Sequence, residues 1–159
     1  MTTQSEPVRT IAVGVDGSPQ SEAALRWALR EAEGKAHVRA IVVRPHEDLL
    51  PGTSFAILPH GRRPIAEEPD YADRLHAVVE ATRSEFLNPA PLVEVVVSGD
   101  PATELVKASM SADLLVVGSH GARPLAELLL GSVATQCVRY AHCPVVVITA
   151  EAAHHAALG

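Results

Sequence analysis

Apolar residues along the chain follow two rhythms that take turns. Short runs rich in Val, Ile and Leu recur at residues 11–15, 38–43, 92–97, 113–118 and 144–149. Such runs, bounded by Gly, Pro, Asp or Ser, predict short buried strands. Between them the apolar spacing lengthens to three and four. Ala24, Leu25, Ala28, Leu29 and Ala32 fall on one face of a helix, with Ser18 as its N-cap, Pro19 in the first helical position and Gly34 at its end. Leu75, Val78, Val79, Thr82 and Phe86 predict a second helix over 71–87, closed by Asn88-Pro89. Asp100-Pro101 repeats the earlier cap-then-proline grammar for a short helix to about residue 109, and 132–141 reads as a fourth. Residues 44–70 hold seven Pro and Gly with no sustained period, so a long loop is expected there.

The resulting β-α-β-α-β-α-β-α-β order predicts one α/β domain over residues 8–150, a parallel sheet with helices on both faces. Residues 1–7 and 151–159 are expected to be flexible ends. In an open doubly wound sheet, ligands bind beyond the carboxyl ends of the strands, where strand order reverses. The polar and glycine residues gather at those ends: Asp16-Gly17-Ser18, Ser98-Gly99-Asp100 and residues 118–121.

Composition narrows the picture. The 159 residues suit a single domain, and with aromatics at 3% the core must be built from aliphatic side chains, the palette of a buried parallel sheet. The formal charge is −6, with no basic cluster beyond Arg62-Arg63, which argues against nucleic acid or an anionic membrane surface as a partner. Nowhere do 18 apolar residues run consecutively, and the first ten residues are polar, so a cytoplasmic protein is expected. Cys137 and Cys143 lack ligand-like spacing and are read as small buried hydrophobes in a reducing compartment. No metal-ligating set is singled out.

The stretch VVGSHGARPLAELLLGSVA, residues 116–134, carries the most specific chemistry. Gly118 lets the backbone turn after a strand, Gly121 leaves main chain bare for close approach, and Gly131-Ser132 stands at a helix start. There Ser132 is expected to cap the helix, and free N–H groups to receive phosphate oxygens. Neither GxxxxGK[ST] nor a GxGxxG in the first strand-helix turn is present.

The pattern Gly118-x2-Gly121-x9-Gly131-Ser132 resembles the ATP-binding signature of the universal stress protein family. The first strand running into Val15-Asp16-Gly17-Ser18, the GDPATEL start of the third helix, ADLLVVGSHG and the ending LLLGSVATQCVRYAHCPVVVI resemble that family as well. This resemblance implies a five-stranded parallel sheet of order 3-2-1-4-5 that juxtaposes the Asp16 turn with the Gly118 loop. It also implies ATP, with Mg²⁺, as ligand. Asp16 would lie beside the nucleoside and the Val43 main chain at the adenine edge, with Gly14, Val15 and Gly99 lining the pocket. Gly118, Ser119 and Gly121 would approach ribose and phosphates, and Gly131, Ser132 and Val133 would hold the phosphate tail. A homodimer through the last strand is implied too.

The chain also departs from the family pattern. Ala122-Arg123-Pro124-Leu125 replaces the usual Arg-Gly-Gly-Phe, Glu127 stands where a small residue is common, and Val42 takes the place of a frequent His. Glu127 would repel a triphosphate unless a cation intervenes or it points outward, while Arg123 is either a phosphate contact or a solvated loop arginine. Asp16, Ser132, His120 and His142 do not form a catalytic constellation. His120 is either a ligand contact or a solvent-exposed loop side chain. The expected function is an ATP-binding regulatory or stress-response factor with little or slow hydrolysis. The alternatives are a nucleotide-free interaction module of the same fold and an ATP-hydrolysing enzyme.

Overall fold

The structure, a computed structural model, describes residues 8–46, 70–121 and 130–158. Its elements run β1 (Arg9–Gly14), α1 (Pro19–Ala32), β2 (Ala36–Arg44), α2 (Tyr71–Arg83), β3 (Leu92–Ser98), α3 (Pro101–Ser109), β4 (Leu114–Gly118), α4 (Ser132–Tyr140), β5 (Val145–Ile148) and α5 (Ala150–Leu158). The five strands form one parallel sheet in the order β3-β2-β1-β4-β5, as expected. The expected long loop falls largely on residues 47–69, outside the described residues, as do residues 1–7.

Period-two alternation sorts the strand side chains into two cores. Ile11, Val13, Val38, Ala40, Val42 and Val116 face the layer of α1 and α2, where Leu25, Leu29, Leu75 and Val79 are fully or almost fully buried. Ala12, Ile41, Leu115 and Val117 face α3 and α4, packing with Leu105, Ala134 and Cys137. Each leucine so buried contributes roughly 1.5–3 kcal/mol, which explains how a core almost without aromatic rings holds. Desolvation pushes the Cys137 thiol up to about 11, so it serves as a small apolar filler. Cys143 is only half-buried, against the expectation of full burial.

Helix boundaries mostly follow the capping signals. Ser18 Oγ accepts from the Ser21 N–H at 3.2 Å, and Asp100 Oδ2 accepts from the Thr103 N–H at 2.9 Å, with Pro19 and Pro101 at the first helical positions. The α2 helix stops at Arg83, short of residue 87, where Ser84 is its C-cap. The tail expected to fray is helical as α5, and Ala153 packs against the core on the α1 side. An alanine-rich tail has no alternating pattern to announce itself, but alanine is the strongest helix former.

Candidate functional site

Between the carboxyl ends of β1 and β4, the sheet's switch point, lies a cavity of about 860 Å³. That volume is within the range of small-molecule sites. Several elements build it. The end of β1 contributes Gly14, Val15 and Asp16; the end of β4 contributes Val117 through Gly121; the start of α4 contributes residues 130–136; Ser21 of α1, Ile41, Val43 and Pro45 of β2 and its end, and Pro101 and Leu105 of α3 form the remaining wall.

The Asp16 turn is held by its own hydrogen bonds. The Ser18 N–H donates to Asp16 Oδ1 at 2.9 Å, the Asp16 N–H donates to Ser21 Oγ at 3.2 Å, and Gly17 takes φ +82, a left-handed conformation suited to glycine. Asp16 Oδ2 thereby faces Gly121, where an added Cβ would come within 2.9 Å of it. Gly118 is required by packing. A Cβ there would lie 2.8 Å from Gln20 Cβ and 3.2 Å from the Gln20 carbonyl carbon, so glycine lets β4 pass the start of α1.

The two ends of the glycine loop meet. The Gly131 N–H donates to the Ser119 carbonyl at 2.6 Å, and the Ser119 N–H donates to the Ile148 carbonyl at 2.8 Å. These bonds fix both ends of the loop beside β5. Ser119 is 2% exposed and its Oγ is 3.1 Å from His120 Nδ1, so this lining pair is partly enclosed.

Ser132 does not cap α4. The chain is still extended at Gly131 (φ −67, ψ 168), which makes Gly131 the N-cap and Ser132 the first helical residue, and among the described residues no side chain caps this end. The uncapped first turn lines the cavity through Ser132, Val133 and Ala134. Helix N-termini carry unsatisfied N–H groups and partial positive charge, so this wall is receptive to an anion. Among the described lining residues the ionisable side chains are Asp16 and His120. The cavity is therefore polarised, with a carboxylate on the β1 side and a helix N-terminus on the other.

Of the expected site residues, Gly14, Val15, Asp16, Val43, Gly118, Ser119, Gly121, Gly131, Ser132 and Val133 all line this cavity. Gly99 does not. It sits in the turn after β3, the edge strand two places from β1, at φ +151, with its N–H donating to the Arg44 carbonyl at 2.9 Å. Arg123, Pro124 and Glu127 lie outside the described residues. Sequence reading missed Pro101 and Leu105 of α3, and Thr135 and Gln136 of α4. The Pro101 helix start was legible, but its placement against the cavity follows from the sheet order alone.

The fold and this cavity define an open doubly wound α/β domain with an anion-receptive ligand site at its switch point. Comparison with known proteins is more specific: residues 7–149 match the Universal stress protein family, and the chain belongs to it. It is 38% identical over 141 residues to Universal stress protein Rv2005c of Mycobacterium tuberculosis, a match covering 86% of this chain and 44% of that protein. The chain thus spans about half the length of the curated relatives it matches. Among solved structures, it is similar to a universal stress protein in complex with cAMP, at 26% identity, TM-score 0.59 and coverage of 91% and 98% of the two chains. It is also similar to the Archaeoglobus fulgidus universal stress protein in complex with dAMP, at 27% identity, TM-score 0.56 and coverage of 88% and 97%. No helix among the described residues is long and apolar enough to cross a membrane.

Proposed function

We propose that the chain is an adenine-nucleotide-binding universal stress domain whose ligand is ATP with Mg²⁺, acting as a regulatory or stress-response factor in the cytoplasm. The observation that carries this reading is the polarised cavity, with bare main chain at Gly118, Gly121 and Gly131 and the uncapped start of α4 on one wall. The similar structures holding cAMP and dAMP support the nucleotide class.

The residues divide the work by charge. Asp16, an acceptor when ionised, suits ribose hydroxyls or a metal ion and disfavours phosphate beside it. The N–H groups at the start of α4 and the Ser132 hydroxyl suit phosphate oxygens. The Val43 main chain and the walls of Ile41, Pro45 and Leu105 suit a flat base. A bound ATP would supply a transferable phosphoryl group; among the described lining residues only Asp16 and His120 are ionisable and there is no lysine or arginine to stabilise the charge of transfer, so turnover well below ~1 s⁻¹ is expected.

Two free thiols accord with a reducing compartment. A homodimer through β5 belongs to the same reading. This edge strand has Val145, Val146 and Val147 only half-buried, and Val138 and Tyr140 of the neighbouring α4 are exposed. Calorimetry with ATP and Mg²⁺ tests the site. Gly121→Val, which brings bulk against Asp16, should abolish binding while circular dichroism stays native. Unchanged affinity would show that the ligand lies elsewhere, and ATP turnover near ~1 s⁻¹ or faster would make the protein an enzyme.

A further inference from the structure

On the face of the sheet that α2 covers, away from the cavity, α2 and the edge strand β3 bring together donors of a different kind. His76 and Glu80 stand four residues apart on α2, one turn along the same face. Glu94 of β3, opposite Ala40 in the parallel pairing, places Oε1 2.9 Å from His76 Nδ1. One ligand-type atom from each of the three residues lies within 4.8 Å of the other two. The His76 and Glu94 side chains are 64% and 29% exposed, so an ion in solution has access.

The local field favours a cation. The carboxylates of Glu94, Glu80 and Asp73 stand around His76 and place negative charge there. Arg83 is the competing cation, but its Nη1 is 3.9 Å from Glu80 Oε1, a loose exposed pair of little strength.

We propose that His76, Glu80 and Glu94 form a binding site for a divalent transition-metal ion of the Zn²⁺ type. One imidazole nitrogen and two carboxylates supply three protein ligands, and water completes the shell, as in open zinc sites. The imidazole sets this class apart from Mg²⁺ and Ca²⁺, which take oxygen ligands. Because two ligands come from a helix and one from a strand, the ion ties α2 to the sheet edge and binds the folded chain in preference to the unfolded one. Local sequence offers only the His76/Glu80 spacing as a signal. Glu94 joins them across the turn and strand start that follow α2.

Calorimetric titration of ZnCl₂ into the metal-stripped, nucleotide-free full chain tests the site. The expected result is one saturable site that excess Mg²⁺ does not displace, with a melting temperature that rises on adding Zn²⁺. His76→Ala and Glu94→Gln should each weaken binding by at least ~10-fold, the loss typical even of residues one step removed from a metal, and should remove the melting shift. A double variant, His154→Ala with His155→Ala, should bind as the wild type does, since those exposed side chains lie on α5. The proposal is overturned if the wild type shows no saturable Zn²⁺ binding, if His76→Ala and Glu94→Gln retain wild-type affinity, or if binding is lost in the α5 double variant.

Discussion

The helices that begin at the carboxyl edge of the sheet do not all begin alike. The α1 helix starts under the Ser18 side chain and α3 under Asp100, each accepting a first-turn N–H. The α4 helix starts at Gly131 with no side-chain cap among the described residues, and it is this start that lines the cavity beside Ser119 and Gly121. Capped starts complete the hydrogen bonding of the fold from within the chain. An uncapped start leaves donors for something else, at a modest cost because glycine is itself a tolerable N-cap. The difference separates the part of the edge whose hydrogen bonding the chain completes itself from the part proposed to meet a ligand.

Giving α4 the cap that its neighbours have is the sharpest way to break this contrast. In Gly131→Asp the new Cβ would sit 3.2 Å from the Ser119 carbonyl oxygen and 3.4 Å from His120 Cα, a tight fit that requires this backbone to give by a few tenths of an ångström. Its carboxylate would then take the first-turn N–H groups and oppose an incoming phosphate. Affinity for ATP with Mg²⁺ should fall at least ~100-fold, about 2.7 kcal/mol, with no loss of melting temperature. A variant that melts normally and binds normally would mean that the α4 start is not the phosphate wall.

Removing the caps that exist should do the opposite. Ser18→Ala and Asp100→Ala are each expected to cost about 1 kcal/mol, roughly 2–4 °C in melting temperature, while nucleotide affinity changes little. Denaturant melts read the first quantity and calorimetry the second.

The smallest effect is in pH. Hydrogen bonds from the Thr103 N–H and then its hydroxyl hold the Asp100 carboxyl below the ordinary carboxylate range. Because the folded-state pKa is the lower one, this stabilisation is fully present above the unfolded value of about 3.9 and is lost as pH falls through the folded value. The stability gap between wild type and Asp100→Ala should therefore hold from pH 7 to about pH 5 and narrow below about pH 4 in urea melts.

Much of the sheet edge was legible in the sequence because its signals are local. Apolar runs announced the strands, and Ser18-Pro19 and Asp100-Pro101 announced two helix starts that the structure places at those residues. The Gly131-Ser132 pair was ambiguous for a physical reason. Both residue types are accepted at an N-cap, and the choice depends on whether Gly131 has already turned into the helix, which neighbouring strands decide. Gly99 misled because its turn looks like the Asp16 turn locally. Its backbone turns back to the Arg44 carbonyl, and the cavity lining begins two residues later at Pro101. Pro101 and Leu105 fall within the GDPATEL motif, but that motif was read only as a helix start, and packing of α3 against the sheet is what brings them to the cavity.

The central claim is that the cavity between β1, β4 and α4 holds an adenine nucleotide. Native mass spectrometry of the purified chain, followed by calorimetry of the stripped protein with ATP or ADP and Mg²⁺, tests it most directly. The account predicts an adenine nucleotide that co-purifies or rebinds at one site per chain. If none co-purifies and neither nucleotide releases heat on titration, the cavity belongs to a domain that works without nucleotide.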